Sequence, residues 1–98
     1  MTGVTITANP EKQQMLDGTV EVTANGIGGT APYEYKFMVR KSSETEYIVG
    51  QNYSSQDSWV WNTAGYQAGS YILKVCARSA GSIASCEAAN WYGYQLAD

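Results

Sequence analysis

The chain has 98 residues, 15% of them charged, with a formal net charge of −3 and no histidine. That length fits one domain around a single core. The acidic balance and the absence of a basic run argue against nucleic acid as a partner, and the lack of histidine removes the usual general base near neutral pH.

No apolar run approaches membrane-spanning length and no signal-peptide pattern opens the chain, so direct membrane insertion is not expected. The opening Met1-Thr2-Gly3 reads as an added start. Residues 1–98 are therefore expected to be one module taken from a longer multidomain protein.

Val4, Ile6 and Ala8 alternate with threonines and predict a first strand, ended by Asn9-Pro10. Proline cannot donate to a ladder, so Pro10 belongs at an edge or at a change of sheet. Residues 11–15 read as a polar connection, and Leu16-Asp17-Gly18 as the turn into the next strand. There Val20, Val22 and Ala24 alternate with Thr19, Glu21 and Thr23, the period of a half-buried strand. Gly26 to Pro32 reads as a flexible loop without phosphate-binding spacing.

A third strand over 33–40 places Tyr35, Phe37 and Val39 on one face and Glu34, Lys36, Met38 and Arg40 on the other. Residues 41–46 form an exposed turn. Tyr47-Ile48-Val49 and Tyr53 make a fourth strand interrupted at Gly50, and Trp59-Val60-Trp61 a short fifth with both indoles on one side. Ala68-Gly69-Ser70-Tyr71 then opens a sixth strand over 70–78, with Tyr71, Leu73, Val75 and Ala77 on the inner face. A tyrosine entering a late strand just after a glycine turn is how a tyrosine corner begins. The last strand ends at Tyr94 and Leu96. Seven short strands, turns rich in glycine, serine and asparagine, and no sustained 3.6 period predict an all-β Greek-key sandwich of immunoglobulin-like architecture.

Cys76 and Cys86 are the only cysteines. Their spacing suits neither a zinc site nor a redox C-x-x-C motif. A structural disulfide across the last hairpin is the expected reading, and two free thiols the alternative. If paired, they close a loop whose entropy contributes roughly 2.7 kcal/mol before strain and point to an oxidising compartment. With both cysteines in the ladder, strict alternation would turn Glu87, Ala89, Trp91 and Gly93 inward. Tyr92, Tyr94 and Leu96 suit the core better, so a bulge or irregular turn is expected between 87 and 91, with Trp91 near the sheet edge.

Several segments together resemble bacterial extracellular repeats related to fibronectin type III and immunoglobulin-like domains. They are Asn25-Gly26 through Gly29 before Pro32-Tyr33-Glu34-Tyr35-Lys36-Phe37, then Tyr53-Ser54-Ser55, Trp59-Val60-Trp61-Asn62, and Ala68-Gly69-Ser70-Tyr71 through Gly81. The resemblance implies a seven-stranded sandwich in an exported or surface protein, extracellular or periplasmic, joined to flanking domains and without catalytic residues. Met38, Cys76 and Cys86 stand where such repeats tend to carry bulky aromatics, which implies a disulfide in place of an exposed aromatic patch.

The acids Asp17, Glu21, Glu34, Glu44, Glu46, Asp57 and Glu87 are scattered over turns and outward positions, not paired as glycoside hydrolysis requires. Asn52, Asp57 and Asn62 lack the dense spacing of a calcium loop, and no metal or cofactor is expected. Trp59, Trp61, Tyr35, Phe37 and Tyr71 are assigned to the core. Tyr53, Tyr66, Trp91 and Tyr92 remain as candidate ligand-binding aromatics, and exposure of three or more on one face would favour binding. The resulting expectation is a non-enzymatic spacer or protein-interaction module. The alternative is a carbohydrate-binding module that meets polysaccharide at a cell surface.

Overall fold

The computed structural model describes residues 3–9, 13–15, 18–28, 32–63, 66–83 and 86–97. Among them are eight strands and no helix: β1 (Gly3–Asn9), β2 (Gln13–Met15), β3 (Thr19–Ile27), β4 (Tyr33–Lys41), β5 (Ile48–Ser54), β6 (Ser58–Asn62), β7 (Gly69–Ser79) and β8 (Ala88–Ala97). They form a three-stranded sheet in the order β1-β3-β6 and a five-stranded sheet in the order β2-β8-β7-β4-β5. Every pairing is antiparallel except that of β2 on β8.

The period-2 pattern sets this arrangement. Val4, Ile6 and Ala8 of β1, Val20, Val22 and Ala24 of β3, and Trp61 of β6 are buried on the inner face of the small sheet. Tyr35, Phe37 and Val39 of β4, Tyr71, Leu73, Val75 and Ala77 of β7, and Tyr94 and Leu96 of β8 face them from the larger one. A slip of one residue in β3 would turn its three apolar side chains to water. At about 1.5–3 kcal/mol for each large aliphatic, that outweighs any gain in the ladder, so the register is held.

Trp61 is the centre of this core. Tyr66, Tyr71 and Tyr94 meet its indole edge-on at 5.2, 5.5 and 6.0 Å between ring centroids. Trp59, half-buried, lies at 6.4 Å from Trp61 and 6.2 Å from Phe37, stacked with both. The Tyr71 hydroxyl donates to the Gln67 carbonyl at 2.7 Å, which is the tyrosine-corner contact. Thr63, fully buried, exchanges hydrogen bonds with both backbone groups of Gly18 and so closes the end of β3 against β6.

Three expectations change. Residues 11–15 are not simply a connection, because 13–15 form β2, an eighth strand added to the expected seven. Pro10 lies outside the described residues, yet the strands on either side of it belong to different sheets. β5 runs through Gly50 rather than being interrupted there; Tyr47 precedes it, and the irregularity appears as register shifts against β4. Finally, Gly26 and Ile27 belong to β3, paired with Val4 and Gly3, and not to the loop that follows. β8 pairs with β7 in one unbroken register from Ala77↔Ala88 to Gly69↔Leu96, and the irregularity expected between 87 and 91 lies just before it. Cys76 stands opposite Ala89, and Cys86 lies before the strand. Strict alternation from Cys86 therefore does not reach Trp91, which faces outward opposite Lys74. The bend falls at Glu87, whose N–H donates to the Ala77 carbonyl at 3.0 Å.

The two chain ends of the sandwich are opposite. Gly3 of β1 pairs with Ile27, and the Asn90 amide of β8 donates to the Val4 carbonyl at 3.0 Å. β1 therefore starts at the end where β8 also starts, beside Tyr33↔Ser79. β8 then runs the length of the sheet and finishes beside Gly69, at the Lys41↔Tyr71 end.

Candidate functional site

The outer face of the five-stranded sheet departs from ordinary solvated alternation. Glu34, Lys36, Met38 and Arg40 of β4 lie beside Ile72, Lys74, Cys76 and Arg78 of β7, with Trp91, Gly93 and Gln95 following on β8. No basic run marks these residues in the sequence. The strand period nevertheless gathers four of the chain's six cations on one face, against the single carboxylate of Glu34 on these strands.

Met38 and Cys76 point outward yet are buried, at 8% and 5% exposure. Cys76 is bonded to Cys86, with Cα atoms 5.3 Å apart, so the thiol alternative is set aside and the segment after β7 is stapled over the sheet.

Above this floor, aromatic rings and cations alternate. The Lys74 ammonium lies 5.3 Å from the Tyr47 ring centroid and 5.4 Å from that of Trp91. The Arg40 guanidinium lies 5.3 Å from Tyr47 and donates to the carbonyls of Lys41, Ser42 and Glu44, fixing the loop that carries the ring. Arg78 sits 3.8 Å above Tyr53 and pairs with Glu34 at 2.9 Å. Burial raises the Tyr53 pKa, with Arg78 opposing it and Glu34 and Glu87 adding to it. Glu87 is held below the ordinary carboxylate range because the Ser79 N–H and the Ser82 hydroxyl donate to it, at 3.0 and 2.8 Å.

Beside Trp91 is a shallow recess. Gly93 gives it a bare floor, since a Cβ there would meet nothing within 4 Å. Ile72, directly across the ladder, continues that floor. Trp91 forms one wall at 53% exposure. The other wall is Ser70, whose hydroxyl donates to Gln95 Oε1 at 2.9 Å.

The four candidate aromatics do not converge. Tyr66 and Tyr92 pack against the core. Tyr53 lies on the outer face, but with a guanidinium against its ring. Trp91 alone of the four is mainly exposed, so the three exposed rings on one face that would favour an aromatic platform are not found among them. Tyr47, which the sequence reading placed in a strand and gave no role, is the ring nearest to Lys74 besides Trp91. Its position follows from the β4–β5 loop, and no local motif marks it.

Glu34 and Glu87 both act on the Tyr53 phenol, each held by its own partner. Glu21 is exposed on the three-stranded sheet, Glu44, Glu46 and Asp57 lie in exposed loops, and Glu34 and Glu87 have the partners given above. Asp17 lies outside the described residues. Among the described residues no three His, Cys, Asp or Glu side chains gather as a metal-binding group.

Comparison with family models, with curated proteins and with solved structures finds no match. The fold therefore defines the class of this protein: an all-β chain of two packed sheets with one disulfide among the described residues.

Proposed function

We propose that this chain is a non-enzymatic, immunoglobulin-like module, close to fibronectin type III in strand order, that acts as a spacer or protein-interaction domain in an exported bacterial protein. The observation that carries this reading is the opposite placement of the two chain ends along a body of 42 × 24 × 18 Å. A module entered at one end and left at the other holds its neighbours apart by its own length, whatever they are.

Further support comes from topology. With β2 taken as a short continuation of the first strand after it changes sheets, the order β1-β3-β6 against β8-β7-β4-β5 corresponds to A-B-E against G-F-C-C′ in immunoglobulin lettering. The disulfide is compatible with an oxidising, extracellular or periplasmic location. The engagement of Glu34 and Glu87 by their own partners and the absence of histidine leave little for acid–base chemistry.

The test is replacement within the full gene product. An unrelated sandwich of similar length should preserve the parent's activity, and a short glycine-serine linker should reduce it. Loss of activity with both replacements, or a parent containing no other domain, would overturn the spacer reading.

A further inference from the structure

We infer that the outer face of the five-stranded sheet binds an acidic polysaccharide, a polyuronate, with one sugar ring lying in the recess between Trp91 and Gln95. This goes beyond the spacer reading and does not depend on it.

Three features of the face fit that ligand class. The recess is open and shallow, with an aromatic wall, an apolar floor of Ile72 and Gly93, and the polar Ser70–Gln95 pair opposite. A pyranose presents the same combination: an apolar C–H face for an indole and hydroxyls at its rim. Trp91 is also held ready for contact, because its neighbour Lys74 sits at 5.4 Å across the ladder. The tryptophan is thereby placed without being buried.

Charge selects among glycans. Lys74 lies next to the recess, and Lys36 and Arg40 continue the cationic strip across β4, on a chain whose net charge is −3. A repeating carboxylate on the sugar would meet that strip, whereas a neutral glycan would use the recess alone. Opposed charges on a solvated face raise encounter rates and set selectivity, and salt screens them over about 10 Å at 0.1 M.

The experiment is a calorimetric titration of the intact, disulfide-bonded protein with de-esterified polygalacturonate. Its methyl-esterified form serves as the neutral control and a single-stranded oligonucleotide as a non-sugar polyanion. Saturable binding to polygalacturonate that weakens as salt rises is expected, with at least about tenfold weaker binding of the esterified polymer. Trp91→Ala should abolish it, Gly93→Val should block it by filling the recess, and Lys74→Gln should weaken it by about tenfold while restoring parity between the two polymers. Trp91 is exposed and Gly93 has open space above it, so circular dichroism should show these variants folded. No binding to polygalacturonate overturns the inference. So does binding that survives both Trp91→Ala and Gly93→Val, or equal affinity for the oligonucleotide, which would show charge attraction without sugar recognition.

Discussion

Tyr71 joins two roles in one side chain: its ring closes the core against Trp61 and Tyr66, and its hydroxyl ties the Gln67 carbonyl. Tyr71→Phe keeps the ring and removes the hydrogen bond. Because Gln67 is exposed and its carbonyl can be hydrated, the expected loss is modest, about 1 kcal/mol in a denaturant midpoint. Gly50 is a stricter case. A Cβ there would fall 2.1 Å from Trp59 Cζ2, and the indole cannot yield freely because Phe37 and Trp61 stack with it. Gly50→Ala should therefore cost about 1–3 kcal/mol by overpacking, accompanied by a change in tryptophan emission. The corner was legible because Gly69-Ser70-Tyr71 is a local signal. The role of Gly50 was not, because its partner comes from another strand.

At the scale of elements, the strands with clean alternation were read correctly from the sequence: β1, β3, β4 and β7 bury the faces that the period assigns. β2 escaped notice because three residues, Gln13-Gln14-Met15, carry no period, and their parallel pairing with β8 is imposed by the tertiary fold. The last hairpin was legible except for the place of Cys86. A disulfide was assumed to join residues of one ladder, whereas Cys86 precedes β8 and reaches Cys76 from the connecting segment. The inward parity of Tyr94 and Leu96 was sound, and the irregularity that it required lies at Glu87. Since the bond closes a loop with a sequence separation of 10, the double replacement Cys76→Ala/Cys86→Ala should lower stability by about 2–3 kcal/mol. The change should be concentrated near the β7–β8 connection, where amide exchange should rise most. Uniform acceleration over β1 and β3 as well would mean that the bond supports the whole core.

For the whole molecule, composition read residue by residue gave an acidic chain with no basic patch, and the fold reverses that for one face. Lys36, Arg40, Lys74 and Arg78 are separated in sequence by up to 42 positions, and the β4–β7 pairing brings them together. The recess beside Gly93 was likewise illegible, because it depends on what the adjacent strand leaves uncovered. Packing also sets the response to pH. Burial raises the pKa of Tyr71 and Tyr94 above the ordinary tyrosine value of 10.0, and of Tyr53 as well. The folded state thus favours the neutral phenols. Their contribution is intact below pH 10.0 and is lost as pH rises through the higher folded values. In an alkaline titration the phenolate absorbance of Tyr71 and Tyr94, read as the difference from each phenylalanine variant, should lag behind that of free tyrosine and then rise together with loss of structure. Ionisation of Tyr71 and Tyr94 at the ordinary value, with the fold intact, would contradict their packing.

The opposed chain ends also fix how the molecule would meet tension. A pull on residues 3 and 96 would drag β1 along β3 in one direction and β8 along β7 in the other. The ladder bonds lie across that line, so they would be sheared together instead of unzipped one after another. The Asn90–Val4 contact ties β8 to β1, the two strands that would take the load first, so neither strand could slide away without breaking that tie.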